Sequence, residues 1–421
     1  MKTHGSLHSE TKEWSSSLSR IRGFFLLLLS GAFGTLPASQ QAWSQSREIS
    51  LKVLTVYDDN LFQLTDDQKD AIDPSDEFST FVGANLEYNT RISLFDITVN
   101  GDIGGRFYAN NSQFNSEEYR LAGRTQYLAE SGSAQFDAML SRQNLSFSDP
   151  LFRGTNIRSL ERFSVRGDRR ILSDFHVAGS ARVSSSSSPG SDLRGVNNTI
   201  YAYSAGIEYV SPIKNRIGVG YSQSRSEGDG LRTVLIGGDP ILYSPEASSE
   251  GVYAEIIWTA PVTYSLSGRV GYTWHDDRSP RDIDYQGLTY NVAASWAPLR
   301  SLNIAARAVR SFSSNDELFS NGVVLNSYSL GVSGTAYGRL GFNAGIERAE
   351  REFRFLPRNG LEDSMNRTDK FWVLQAGLNY ELGSGINAAL SASRVLIDDS
   401  TIADDITSNA ITLTLLKSFQ F

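Results

Sequence analysis

Arginine is the residue type in this chain that is best suited to bind a ligand. Residues 45–421 contain thirty arginines and only five lysines. A guanidinium group is a planar fork that binds a carboxylate or sulfate at two points, which a lysine ammonium does not do. We expect ten of them to line a pore wall that attracts anionic solutes such as acidic sugars: Arg120, Arg124, Arg162, Arg166, Arg170, Arg182, Arg216, Arg269, Arg307 and Arg339. The alternative, that arginines and carboxylates pair across neighbouring strands and stiffen the wall, stays open at this point.

Catalytic and metal chemistry have little support in the sequence. His275 precedes Asp276 and Asp277 and could belong to a surface hydrolase, but adjacent residues on a strand point to opposite faces. There is no Gly-rich phosphate loop, metal-binding histidine cluster or nucleophile elbow. Acidic residues crowd the segments around residues 58–76 and 398–405 without the spacing of a calcium loop, so divalent-ion binding and a solvated surface both stay open. We expect no enzymatic activity, no cofactor and no metal site.

The elements that would position the arginines are β-strands. From Ile49 onward about eighteen segments, within a range of 16 to 18, alternate apolar and polar side chains over roughly ten residues. In Ile411 to Phe421, for example, Leu413 and Leu415 share one face, and Thr412 and Thr414 share the other. An arginine facing lipid at mid-membrane costs about 2 to 4 kcal/mol. The pattern therefore predicts an all-β fold, a transmembrane antiparallel barrel with apolar faces toward lipid and arginines inside.

The connections between the strands alternate in length. Short turns are predicted at Asn89–Thr90, Leu172–Ser173, Gly338 and five other places, and longer polar segments such as 225–250 lie between them. Short periplasmic turns and long extracellular loops are typical of bacterial outer-membrane barrels. Aromatic residues before most short turns predict a membrane-interface belt: Tyr88, Tyr127, Tyr209, Trp258, Trp296, Tyr337, Tyr380 and the last residue, Phe421. Tyr221, Tyr272, Trp274, Phe312 and Tyr328 would form a second belt near the long loops.

The first 44 residues indicate export. Arg20 and Arg22 precede a short apolar run, Gly23 to Phe33, and small residues follow as far as Ser44. We interpret 1–44 as a cleaved signal peptide and 45–421 as the barrel. Residues 1–44 hold four basic and two acidic side chains, so residues 45–421 hold 35 basic and 45 acidic ones, a net charge of −10. This acidity argues against nucleic acid as a partner. The absence of cysteine excludes disulfides and thiolate metal sites.

The chain resembles a known family of Gram-negative outer-membrane β-barrels that is often associated with exopolysaccharide or capsule gene clusters. The resemblance rests on Tyr57-Asp58-Asp59-Asn60-Leu61-Phe62, on the long arginine-rich strands and on the terminal Phe421. It implies a channel or docking barrel for export of exopolysaccharide or anionic sugars. A general diffusion porin or a structural, plugged barrel is the alternative, and a surface hydrolase comes third.

The expected partners follow from the same family. They are outer-membrane lipid, the barrel-assembly machinery acting through the last strand, and periplasmic polysaccharide-export components. One departure from the family pattern is Lys417, which interrupts the apolar face of the last strand. We expect its long side chain to reach the interface.

Overall fold

The computed structural model describes residues 45–69, 75–144, 157–188, 197–229, 232–236, 239–243, 246–260, 263–277, 285–313, 320–355, 367–399 and 405–420. The predicted signal peptide lies outside these residues. Helical structure in the described ranges is limited to a one-turn α-helix, Asp66–Lys69, and a 3-10 turn, Ser112–Phe114. Neither is long and apolar enough to cross a membrane.

The rest of the described chain is organised as strands and their connections. The bounds of the strands, in chain order, are β1 Gln45–Asp58, β2 Glu77–Ile92, β3 Phe95–Tyr108, β4 Ser116–Ala129, β5 Gly132–Asn144, β6 Ile157–Leu172, β7 Phe175–Ser187, β8 Asn198–Val210, β9 Arg216–Gly228, β10 Arg232–Ile236, β11 Asp239–Tyr243, β12 Glu246–Ala260, β13 Tyr264–Asp277, β14 Tyr285–Leu299, β15 Leu302–Ser313, β16 Ser320–Ala336, β17 Leu340–Phe355, β18 Arg367–Gly383, β19 Ile386–Asp399 and β20 Ile406–Gln420.

Eighteen of these strands form one closed antiparallel sheet. Each pairs with its neighbours in chain order, β9 pairs with β12, and β1 pairs with β20 to close the barrel. The short strands β10 and β11 form a separate hairpin within the β9–β12 connection. The predicted fold and strand number are confirmed. The barrel closes through the segment Ile49 to Tyr57, in which Ile49 pairs with Phe419 and Tyr57 with Ile411.

One face of the sheet is apolar and exposed. Leu413 pairs with Thr55 on one side and with Leu390 on the other, and side chains directly opposite each other share a face. Large apolar side chains on this face are not covered by other parts of the protein; Ile103 and Val219, for example, are each 64% exposed. A continuous apolar exterior on a closed barrel, in which every strand is paired, is the arrangement that spans a bilayer.

The other face is the interior of the barrel, and one ion pair demonstrates it. Arg166 on β6 lies 3.0 Å from a carboxylate oxygen of Glu255 on β12. Three strands, β7, β8 and β9, separate these two residues in the sheet. Side chains that far apart meet across the concave side of a curved sheet, because on the convex side they diverge. Every residue in register with Arg166 therefore faces inward.

The short turns within the described residues lie close to their predicted positions, with one correction; the turn predicted at Ala260–Pro261 extends outside these residues. The turn predicted at Asn89–Thr90 is actually at Ser93–Leu94, where Ser93 adopts a φ of 56°. Thr90 and Ile92 are β-branched and continue the strand, pairing with Ile97 and Phe95. This shift places Tyr88 deeper in the strand than expected. Its ring is only 4% exposed and lies beneath the Arg47 guanidinium, 5.6 Å away.

Five of the predicted interface aromatics occupy the outer face near the short turns. They are Tyr127, Tyr209, Trp258, Trp296 and Tyr380, which share the face of Phe95, Phe175, Leu266, Tyr264 and Leu340 respectively. Tyr337 was wrongly predicted to precede its turn on the apolar face. It lies within the turn, with a φ of 52°, and is fully exposed. Phe421 lies outside the described residues.

Phe312 also departs from the prediction. Instead of joining an outer belt, its ring stacks on Tyr285, with centroids 4.8 Å apart, and contacts the ring of His275. The β14–β15 pairing ends at Tyr290 and Arg310. Phe312 therefore lies where these two strands have separated, and its side chain fills the space between them.

Candidate solute-binding wall

Arginines on β4 and β6 form a staircase on the inner wall. Arg120 is in register with Ser141 on β5, and Ser141 with Leu160 on β6. Arg124 is likewise in register, through Asp137, with Ser164. We call each of these arginines a rung and give its height as a position along β6. Arg120 and Arg124 on β4 are level with residues 160 and 164, and the β6 arginines are at 162, 166 and 170, so the first four rungs alternate between the two strands. A strand rises about 3.3 Å per residue, so the first four rungs follow each other every ~7 Å.

Two further arginines extend this staircase. Arg158 faces inward one step above Arg120, and its guanidinium donates to the Ser186 hydroxyl at 3.2 Å. Arg182 on β7 is in register with Ser164, so it lies on the level of Arg124. Arg158 was not among the predicted residues, although its spacing of four from Arg162 was visible in the sequence.

The rungs differ in whether a carboxylate neutralises them. Arg124 pairs with Asp137 at 2.7 Å, and Arg166 pairs with both Glu208 and Glu255. Within the described residues, no carboxylate pairs with Arg120, Arg162 or Arg170, and all three side chains are exposed to the interior. We call these three residues the open rungs. Their charge is not neutralised by an ion pair among the described residues, although Asp102 lies in register with Arg120.

A chain of ion pairs continues from the staircase around the inner wall. Asp168 on β6 lies 2.7 Å from Nδ1 of His176, accepts from the Ser133 hydroxyl, and lies 3.3 Å from Arg216. Arg216 also pairs with Glu208 at 3.1 Å, and Glu208 contacts Arg166.

The chain ends at Glu255 and Arg269. Glu255 lies between Arg166 and Arg269, 2.5 Å from a guanidinium nitrogen of the latter. With Asp168 and Glu208, it balances the charges of Arg166, Arg216 and Arg269. For these three arginines the structure agrees with the pairing alternative, because each contacts at least one carboxylate.

Glycines make room for this network to lie flat against the sheet. Arg269 stacks on the Tyr253 ring, 3.9 Å from its centroid. A Cβ at Gly220 would lie 2.5 Å from the Tyr253 hydroxyl oxygen, and one at Gly218 would lie 2.8 Å from Cγ of Glu208. Both glycines are therefore required by side chains that cross the inner wall. The sequence contains these glycines, but only the register shows which side chain each accommodates.

A second inner cluster was not predicted. Phe81 is buried at 6% exposure, between Lys52 and Arg106, whose charged groups lie 5.7 and 5.8 Å from its ring centroid. Lys52 pairs with Asp102 at 3.3 Å and Arg106 with Glu118 at 2.8 Å, so both cations are neutralised.

The two remaining predicted arginines lie apart from the staircase. Arg307 faces inward on β15, where its Nε donates to the Asn291 side chain at 3.2 Å. Arg339 is the last residue of the 337–339 turn, so its prediction as a wall residue is wrong. The alternation before residue 336 was extended through a tight turn, where the two-residue period no longer applies.

The hydrolase hypothesis centred on His275 gains no dyad with Asp276, and the Asp277 side chain lies outside the described side chains. His275 lies on the inner face, where Nδ1 is 2.6 Å from the Ser249 hydroxyl, and Asp276 is in register with Ser248 on the opposite face. The His275 ring is 4% exposed and packs on Phe312. A buried imidazole covered by an aromatic ring is poorly placed to reach a substrate. Across the described residues, no group of three or more His, Asp or Glu side chains could hold a metal ion.

Comparison with known proteins adds a family match and a set of distant structural neighbours. The family model described as "Putative beta-barrel porin 2" matches residues 242–419, which is less than half of the chain. No curated protein matches the sequence.

Among solved structures, Pseudomonas aeruginosa OpdK with vanillate aligns at 12% identity and a TM-score of 0.44, covering 90% of this chain and 99% of its own. P. aeruginosa OccK2 (OpdF) in complex with glucuronate aligns at 9% identity and a TM-score of 0.45, with coverages of 89% and 98%. Acinetobacter baumannii OccAB3 aligns at 10% identity and a TM-score of 0.43, with coverages of 90% and 100%.

Proposed function

We propose that this barrel is an outer-membrane porin through which small hydrophilic solutes diffuse, with a preference for anions. The family match describes a porin, and barrels of 16 to 18 strands are wide enough to enclose an aqueous channel. The observation that carries the anion preference is the arginine staircase, in particular the open rungs Arg120, Arg162 and Arg170.

The open rungs supply the selectivity for a physical reason. A surplus of one charge sign on the walls of a cleft surrounded by low-dielectric material raises the local concentration of oppositely charged solutes. Of the open rungs, Arg120 and Arg162 differ by only about 7 Å in height, so the two guanidinium groups can act on the same carboxylate in succession. The paired arginines contribute little to this field, because their carboxylates cancel it at short range.

Ion selectivity in planar bilayers tests the proposal. The purified barrel should conduct, and under a potassium chloride gradient its reversal potential should show chloride as the more permeant ion. Replacing the open rungs in the triple variant R120Q/R162Q/R170Q should lower the chloride-to-potassium permeability ratio by about two- to tenfold. A double variant on the lipid-facing surface, R348Q/R394Q, is the matched control and should leave the ratio unchanged.

The same experiment separates this proposal from its competitors. A folded protein that does not conduct would contradict the porin proposal and support a plugged, structural barrel. Export of exopolysaccharide or anionic sugars remains a prediction from the sequence. It requires that an acidic oligosaccharide block the current from the side of the short turns, whereas a diffusion porin passes small anions from both sides.

A further inference from the structure

The wall opposite the staircase differs from it in character. Between β13 and β18 the inner face carries mostly serine, alanine and glycine, and it encloses a groove with a volume of about 440 Å³. We define the β13–β18 groove by six of its polar lining residues: Ser267, Ser295, Arg307, Ser329, Glu347 and Gln375. A volume in this range suits a ligand of sugar size.

Two oppositely charged side chains, Arg307 and Glu347, lie at the sides of this groove and do not form an ion pair with each other. Arg307 is in register with Ser329, and Ser329 with Glu347, so two strand spacings, about 10 Å, separate their backbones. Within the described residues, Arg307 has no ion pair, and the contact shown for Glu347 is the Ser327 hydroxyl at 2.6 Å. A planar donor and a planar acceptor therefore face the same space with hydrogen-bonding capacity to spare.

The floor and one side of the groove add neutral hydrogen-bonding groups. Gln375 lies over Gly345, where a Cβ would come within 3.0 Å of its amide nitrogen. Its amide has no hydrogen-bond partner among the described residues. Gly331 contributes no side chain to the floor, so the space above it is open. The nearest atom to a Cβ built on Gly331 is the Ala344 carbonyl oxygen, 3.7 Å away.

We propose that the β13–β18 groove is a binding site for a neutral, hydroxyl-rich solute of mono- or disaccharide size. A sugar presents many hydroxyl groups that both donate and accept, which suits a surface of hydroxyls, one amide, one guanidinium and one carboxylate. The single positive and single negative charges balance, so the groove has no reason to prefer an anion, unlike the open rungs. This inference rests on the proposed function, because a solute reaches the groove through the interior of the barrel.

Filling the groove tests the proposal. Sucrose is the probe, and current through single channels is recorded at increasing sucrose concentrations. Wild-type protein should show concentration-dependent interruptions of the current. Gly331→Phe should place its ring in the open space above Gly331 and raise the half-blocking concentration at least about tenfold, which corresponds to the loss of one or two hydrogen bonds.

Two further variants distinguish a specific loss of binding from a general effect of added bulk. Ala202→Phe adds the same ring to the inner face of β8, away from the groove, and should retain blocking at the wild-type concentration. Gln375→Ala removes one hydrogen-bonding group without adding bulk and should weaken blocking by a smaller factor. Heat-modifiable migration on gels verifies that each variant is folded.

The possible outcomes test the sugar-binding proposal for the groove separately from the porin proposal. A barrel that conducts and is not interrupted by sucrose, or that is interrupted equally in Gly331→Phe, would overturn the groove and leave the porin intact. A folded barrel that does not conduct would overturn the porin. In that case, equilibrium dialysis of labelled sucrose against wild type, Gly331→Phe and Ala202→Phe decides whether the groove binds sugar.

Discussion

Individual charges on the inner wall divide into those that hold the wall together and those that face the solute. Glu255 shows the distinction best, because one carboxylate serves both Arg166 and Arg269, at 3.0 and 2.5 Å. Sequence alternation alone places all these residues on one face and leaves open which arginines are paired. Pairing depends on neighbours several strands away, and that information enters only with the register of the sheet.

Removing the charge of Glu255 should therefore convert structural arginines into functional ones. In Glu255→Gln, Arg269 loses its carboxylate and Arg166 retains only Glu208, so we expect the chloride-to-potassium permeability ratio to rise. Asp398→Asn is the control, since Asp398 lies on the outer face near Lys370 and is exposed. A ratio that stays constant or falls in Glu255→Gln, with the barrel still folded, would show that the paired arginines do not respond to the loss of this carboxylate.

At the scale of the strands, the sequence predicted most of the architecture. Two-residue alternation is a local property, so eighteen strands and their inner and outer faces could be counted directly. The staircase could not, because the relative height of β4 and β6 depends on the register of both with β5. The β10–β11 hairpin escaped prediction because it lies within a long connection and not in the barrel sheet.

The segment Tyr57 to Phe62 was recognised in the sequence only as a motif. In the structure it is hydrogen-bonded to the start of β20, the strand that closes the barrel with β1. Asn60 is fully buried, and its side chain donates to the carbonyl oxygens of Leu64 and Thr407, each at 2.8 Å, and accepts from the Leu64 backbone N–H. Asp59 accepts from both the backbone and the side chain of Asn409, each at 2.7 Å. The motif thus fastens the first connection to the start of β20, beside the pairing that closes the barrel.

Truncating the buried amide should weaken this closure. Asn60→Ala leaves the Thr407 carbonyl oxygen and the Leu64 N–H without this partner, which costs about 1 to 3 kcal/mol for a buried group. We expect the folded band to disappear at a lower temperature on heat-modifiability gels. Asn110→Ala, an exposed site in the β3–β4 connection, serves as the control and should behave as wild type. Equal thermal stability of the two variants would show that the motif does not hold the closure.

Lys417 is a charged residue on the otherwise apolar outer face of the last strand, and its contacts show how the strand accommodates it. It lies on the outer face of β20, in register with Leu51 and Ile386, and its ammonium group donates to the carbonyl oxygen of Ser384 in the adjacent short turn. The side chain also lies 5.5 Å from the Phe419 ring centroid. The charge therefore reaches the polar turn, as the length of a lysine side chain allows. Recognition of this strand by assembly machinery stays a prediction.

The closed sheet separates two environments, with lipid on its outer face and water on its inner face. The chain contains no cysteine, so single cysteines can be introduced and labelled without background. In a barrel reconstituted in vesicles, cysteines at Ala122, Met139 and Ser164 on the inner face should react with charged, membrane-impermeant thiol reagents. Cysteines at Leu121, Leu140 and Val165, their immediate neighbours on the outer face, should stay unreactive because their side chains face lipid.

The charge of the reagent extends this test to the difference between the two walls. An anionic thiol reagent should react faster than a cationic one of the same size at Ala122 and Ser164, which lie among the arginine rungs. At Ser329, which lies in register between Arg307 and Glu347 in the β13–β18 groove, the two reagents should react at similar rates because the two charges balance each other. Equal rates at every inner position would mean that the arginines create no field of their own, and reactivity at Leu121 or Val165 would contradict the lipid-facing assignment itself.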